Sequence, residues 1–400
     1  MIARQAVAQQ SCPSLVVSNN NDIVNGDTSS PCALIANPGS DGISLREALL
    51  AANDATGSGT ITITFASALA GETIVPTSTN GCCYYITRDD VTIAGLVGQG
   101  GQPAVTIDAS NMFILFEVTA SNVTLSSLRI IGLETANPGD KLGIQVGPGA
   151  SGPSVVSNIV IQGNVFIDNP GYAGIAVEVG IATPQATNAV VSNVTVANNT
   201  FTNIGAGVSL WSWGTNDIIQ DVLIFGNPFI GISDPIELAS SYGSENKILR
   251  TRIIGNTFDG DIGGLLLDHG SATGSPPSTG NVFDGTVIEG NVFIANGTAA
   301  IALWGGADVG GSTISISNNT ITNTSIVNNV IIGDTQYGAI SIIGGGQGST
   351  QNSVSGVSIV NNTIANNPAT CCYTALDVGA NVGGASGNTV SGVSISNTIF

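Results

Sequence analysis

GNVF at Gly163–Phe166, NNTF at Asn198–Phe201, GNPF at Gly226–Phe229, GNTF at Gly255–Phe258 and GNVF at Gly290–Phe293 are one short phrase written five times. NNTI at Asn318–Ile321 and at Asn361–Ile364 continues it. Each phrase closes a run that alternates apolar and polar residues, such as Val194-Thr195-Val196, and a second alternating run follows it. Taken at Asn164, Asn199, Asn227, Asn256, Asn291, Asn319 and Asn362, the phrases are separated by 35, 28, 29, 35, 28 and 43 residues. A stacked strand-turn-strand coil accounts for this period, with the excess residues in protruding loops. In-register stacking then places each Asn above the last, where side-chain amides bond along the column. Phe166, Phe201, Phe229, Phe258 and Phe293 fall on one inward column, which Ile321 and Ile364 are expected to extend.

The composition agrees with strands and tight turns. The 400 residues include 53 Gly, 42% are hydrophobic and only 9% are charged. No apolar run reaches the length of a membrane span, and the opening MIARQAVAQQ is too polar for a signal peptide. A net charge of −19 with only eight Lys and Arg disfavours nucleic acid and anionic membranes, because both need clustered cations. Polyanionic sugars are penalised likewise unless a cation bridges.

Six cysteines point to an oxidising, extracellular setting. Cys12 and Cys32 form a plausible conventional bridge. The adjacent pairs Cys82-Cys83 and Cys371-Cys372 lie too many coils apart to join each other, so each is a vicinal disulfide or a contact between molecules. Reduced buried thiols are the plain alternative.

Residues 1–42 read as an irregular lead-in with one strand around Leu15–Val17, and residues 43–400 as the stack. A helix is expected over about residues 44–54. Ser44 and Glu47 have capping-box spacing, Leu45, Ala48, Leu49 and Ala52 share a face, and Gly57 follows the end. Such a helix covers the open first coil, whose unpaired strand edges would otherwise invite association. The chain stops at Phe400 inside the word SISNTIF, part-way through an expected coil. That leaves end-to-end self-association into a filament as one reading.

The words ISLREALLAAND, TITITFASALAGETIVPTS and ITRDDVTIAGL, within residues 15–130, resemble the amino-terminal segment of secreted bacterial CSLREA-type proteins. These belong with the right-handed parallel β-helix proteins of the pectate-lyase-like superfamily, and the later repeats resemble generic coils of that superfamily. The resemblance implies an all-β solenoid and an extracytoplasmic setting; it implies no reaction. Ile43 stands where the family word opens with Cys, so a disulfide made there is absent or rerouted through Cys32.

Aligning the second strand of each coil predicts two outward columns by the period-two rule. One is Gln145, Ala176, Ser209, Glu237, Leu266, Ala302, Ser341 and Asp377; beside it run Gly147, Glu178, Trp211, Ala239, Asp268, Trp304, Ile343 and Gly379. A lane floored by small residues, with Trp211, Trp213 and Trp304 beside it and Glu178 on the same face, has the form of a sugar-stacking surface. The plain alternative is tryptophans packed under loops. Glu237 and Asp268 fall in diagonal positions about 7–8 Å apart, near the spacing of an inverting carboxylate pair.

Other chemistry is less well served. Arg250 reads as a surface ion-pair partner of Asp221 rather than a base. The sole histidine, His269, points opposite to Asp268, which weakens a serine triad. Histidine count excludes a multi-His zinc site. Asp259 and Asp261 are candidate calcium ligands or plain turn residues, and no other cofactor is implied. The sequence therefore favours an extracellular or cell-surface scaffold that is adhesive or binds a polysaccharide or surface glycan. A glycoside hydrolase, less readily a lyase, and a filament subunit are the alternatives.

Overall fold

The computed structural model describes residues 12–77, 82–132, 142–149, 154–179, 187–240, 243–270, 278–306, 316–333, 338–366 and 375–400. Cys371 and Cys372 lie outside them. The chain winds as a parallel β-helix whose coils build a 17-stranded sheet and an 18-stranded sheet, with a two-stranded sheet at Ser278–Thr279 and Ile316–Ser317. Every named strand pairing is parallel, each strand with its counterpart one coil on.

The repeated phrase is the corner between the two main sheets. Its first residue adopts a left-handed conformation, with φ of 63° at Gly163, 54° at Asn198, 66° at Gly226, 61° at Gly255 and 63° at Gly290. Gly and Asn are the residues that enter this region at least cost, which is why the two alternate there. The second residue turns inward into a buried amide ladder. Asn199 Oδ1 accepts from the Asn164 backbone N–H at 3.0 Å, and the same bond recurs from Asn199 to Asn227, Asn227 to Asn256 and Asn256 to Asn291. The fourth residue stacks its ring. Centroids are 5.0, 4.9, 5.1 and 4.4 Å apart from Phe166 through Phe201, Phe229 and Phe258 to Phe293. Gly174 and Gly207 lie against the Phe201 and Phe229 rings, where a Cβ would not fit.

Beyond Phe293 the ladder differs from the expected one. Asn291 bonds to Asn329, and Asn329 to Asn362, across 38 and 33 residues. Asn319 belongs to a second ladder, running from Asn246 through Asn281 and Asn319 to Asn352 and Asn388. Accordingly Phe293 stacks on Ile331, and Ile321 on Phe283 in the other sheet. The word NNTI marks a corner wherever a ladder turns, and the coil has more than one such corner.

The helix expected near residues 44–54 forms at Leu45–Asn53 (α2). Ser44 Oγ accepts from the Glu47 N–H, and Glu47 Oε2 accepts from the Ser44 N–H at 2.8 Å. Glu47 Oε1 also takes the N–H groups of Asn25 and Gly26, so the cap fastens the preceding loop. The lead-in holds more structure than expected. A single-turn helix at Pro31–Ala36 (α1) is capped by Ser30, and Ser14–Val17 pairs in parallel with Ile61–Phe65 as part of the first coil. A six-residue helix has no periodic pattern long enough to be read. Cys12 and Cys32 form a disulfide with Cα atoms 5.2 Å apart, and Cys82 and Cys83 form a vicinal one.

Candidate functional site

The pairing register carries both outward columns of the 18-stranded sheet. Gln145, Ala176, Ser209 and Glu237 lie opposite one another in turn, as do Leu266, Ala302, Ser341 and Asp377. Beside them Glu178 lies opposite Trp211, Trp211 opposite Ala239, Ala239 opposite Asp268 and Asp268 opposite Trp304. The two tryptophans therefore share one face.

Outward in the pleat does not mean open to solvent along the whole face. Ala176 and Ser209 are fully buried, Glu178 is 3% exposed and Trp211 is 8% exposed, so the expected lane is closed over its first half. Trp213 packs edge-on against Trp211 at 5.7 Å. The Trp211 indole N–H donates to Glu237 Oε2 at 2.8 Å, and Gln145 Nε2 donates to Glu178 Oε2 at 2.7 Å.

The second half opens into a cleft of about 350 Å³, within the size range of small-ligand sites. Leu266, Ala302 and Trp304 give it an apolar floor, while Asp234, Ser341 and Asp377 bring polar atoms to it. Gly263, Gly264 and Gly306 keep its walls bare. The Trp304 N–H reaches Ser341 Oγ at 3.3 Å, which orients the indole beside the floor. Asp234 opens the strand bearing Glu237 and was not legible as a site residue, because it lies outside the aligned four-residue window.

The described lining includes Asp234 and Asp377 but neither Glu237 nor Asp268. Burial pushes the Glu237 carboxyl above its usual range, the Trp211 N–H opposes this, and the Asp234 charge adds to it. Asp268 is pushed well above its usual range, first by burial and then by the charge on Glu237. Burial also raises Asp234. Glu237 thus acts on Asp268 across adjacent coils, whereas the charge acting on Glu237 is that of Asp234, and Asp268 Oδ1 is buried without a hydrogen-bond partner.

His269 turns inward, as expected from its place after Asp268. Ser240 Oγ donates to His269 Nδ1 at 2.7 Å, and His269 Nε2–H donates to the Thr320 carbonyl at 3.1 Å. Burial lowers the imidazole to about 3, so it is neutral. Both residues are fully enclosed, and a carbonyl rather than a carboxylate meets the second ring nitrogen. The pair is a core contact. Arg250 chelates Asp221, with Nε–Oδ1 at 2.7 Å and Nη2–Oδ2 at 2.8 Å, the surface ion pair anticipated from the column. Asp261 is 2% exposed and its Oδ1 accepts the Ile232 N–H at 2.8 Å. It occupies an amide-ladder position above Asn296, while Asp259 is exposed at the strand end.

A family model described as a right-handed beta helix region matches residues 104–223. No curated protein matches the sequence. Similar solved structures include an endo-xylogalacturonan hydrolase from Aspergillus tubingensis, 14% identical over 96% of this chain and 93% of that one, TM-score 0.44. Another is PfbA, a surface adhesin of Streptococcus pneumoniae, at 12% identity over 96% and 93% with TM-score 0.39. A third is the A-module of the mannuronan C-5 epimerase AlgE6 of Azotobacter vinelandii, at 14% over 88% and 94% with TM-score 0.38. With its parallel coils and this family match, the chain is a right-handed parallel β-helix, similar to the right-handed beta helix region across residues 104–223.

Proposed function

We propose that this chain is an extracellular or cell-surface β-helix scaffold that binds a neutral polysaccharide or surface glycan in the cleft beside Trp304. The observation that carries this reading is an indole flanking an apolar floor of Leu266 and Ala302, with Asp234, Ser341 and Asp377 at its edges. A sugar ring offers an apolar face and a rim of hydroxyls. Tryptophan supplies flat area for the first, and carboxylate and hydroxyl oxygens accept from the second. The acidic edges and the net charge of −19 select against polyanionic chains. The Cys12–Cys32 disulfide supports an oxidising compartment. Among the described residues no helix is long and apolar enough to cross a membrane.

A hydrolase reading is favoured by one observation: Glu237 and Asp268 lie on adjacent coils with both carboxyls raised by burial, Asp268 also by the charge on Glu237. Their absence from the cleft lining favours binding over cleavage. The test is a panel of immobilised neutral polysaccharides, assayed together for retention and for reducing-end release. Retention lost in Trp304→Ala, with no product, supports the scaffold. Product whose release stops in Asp268→Asn overturns it in favour of the enzyme.

A further inference from the structure

The carboxylate of Glu117, half-buried on its strand, faces the two sulfurs of the vicinal disulfide. Glu117 lies in the same outward column as the cleft residues, opposite Tyr85 on one side and Gln145 on the other, five coils away from Leu266. Its Oε2 is 3.5 Å from Cys83 Sγ and 4.0 Å from Cys82 Sγ, and among the described residues these sulfurs are its only hydrogen-bonding neighbours. Sulfurs joined to each other carry no proton to donate. A disulfide offers the carboxylate oxygen no donor, whereas two thiols or a thiolate-bound cation would.

We infer that Cys82, Cys83 and Glu117 form a metal site of the reduced protein, one that takes a thiophilic divalent cation such as zinc and is closed by the vicinal disulfide. The two sulfurs and one carboxylate oxygen lie within 4.8 Å of one another. Ligand atoms bound ~2.0–2.3 Å from a tetrahedral zinc stand about 3.3–3.8 Å apart; the carboxylate oxygen already stands so from Cys83 Sγ at 3.5 Å, and Cys82 Sγ, at 4.0 Å, has to close in once the sulfurs are released from each other. Cys82 is half-buried and gives the ion a way in, while Cys83 is 1% exposed and holds the inner side. Gly149 leaves bare backbone beside Glu117 Oε1. Three protein ligands leave a fourth position for water.

The chemistry balances simply. A phosphine reduces the disulfide by two electrons and leaves as its oxide with the oxygen of one water molecule, whose two protons complete the dithiol. The cation then displaces both thiol protons, releasing two protons in the binding step, and is held by two thiolates and the Glu117 carboxylate. This site is independent of the glycan cleft and stands or falls without it.

The test uses the full chain carrying Cys371→Ser and Cys372→Ser, reduced with a phosphine and titrated with cadmium as the spectroscopic probe. One equivalent is expected to bind with a thiolate-to-cadmium charge-transfer band, which is absent when the protein is titrated unreduced. Cys83→Ser is expected to abolish the band. Glu117→Gln, which preserves shape, is expected to weaken binding at least tenfold with an unchanged circular dichroism spectrum. No band in the reduced, folded protein overturns the site, as does a band whose affinity is the same in Glu117→Gln.

Discussion

Trp211 and Glu237 face each other diagonally across neighbouring coils, with the indole N–H 2.8 Å from Oε2. Trp211 is almost wholly buried and supplies a side-chain hydrogen bond that favours the charged form of Glu237. Trp211→Phe keeps the ring and removes the donor. We expect it to destabilise the protein by about 1–3 kcal/mol, the cost of a buried polar group left unpaired, while glycan retention through Trp304 persists. Urea melts and the retention assay read the two effects separately; equal loss of binding in Trp211→Phe and Trp304→Ala would place the ligand over both rings instead.

Two acids stand in ladder positions otherwise filled by asparagine. Burial raises Asp261 to about 8 and Asp217 to about 6, and each has an Oδ2 without a partner where an amide would offer N–H. In the unfolded chain an Asp titrates near ~3.9. A folded value above the unfolded one means that the native state binds more protons, so the contribution is full below about pH 4 and is lost as pH rises through 6 and 8. The melting temperature is therefore expected to fall between pH 5 and 9. Asp261→Asn should flatten the upper part of that slope and stabilise the protein at pH 8; a slope unchanged in the Asp217→Asn, Asp261→Asn double variant would refute the assignment.

Asn256 lies mid-ladder, accepting from Asn227 through Oδ1 and donating through Nδ2 to the Ile224 carbonyl and Asn291 Oδ1. Asn256→Ala takes the acceptor from the backbone N–H and the Nδ2 of Asn227 and the side-chain donor from the Ile224 carbonyl, while Asn291 Oδ1 keeps only the Asn256 backbone N–H. A loss of about 3 kcal/mol or more is expected from several unmade bonds at once. Chemical denaturation checks it, and a cost below that of a surface Asn→Ala such as at Asn158 would mean the ladder is ornamental.

The ring stack allows a volume test. Phe229 is fully buried between Phe201 and Phe258. Phe229→Ala should cost about 3–5 kcal/mol, and Phe229→Leu clearly less. Equal costs would indicate that ring-on-ring contact, rather than filled volume, holds the column.

The sequence made the coil legible because one corner must satisfy three demands at adjacent positions: a left-handed residue, an inward amide and an inward ring. Those demands write Gly or Asn, then Asn, then Phe two residues later, and the columns through Trp211, Asp268 and Trp304 follow by counting. Asn319 was misassigned because a second corner makes the first two demands as well, so NNTI at Asn318–Ile321 and at Asn361–Ile364 is the same word in different columns. Exposure was not legible. Period-two alternation tells which way Ser209 and Trp211 leave the sheet, but not that the outer surface is covered there. The Cys83–Glu117 contact is not legible for a related reason: it joins residues 34 apart in the chain, before the repeated phrase begins to mark the register.

Successive ladder asparagines sit 28 to 38 residues apart in sequence, yet each meets the next through the same short amide bond. The vertical joint is indifferent to how much chain is spent between one storey and the next. Extra residues can be spliced into an excursion beside the cleft without moving a single interior side chain, so recognition can diversify while the trunk stays as it is.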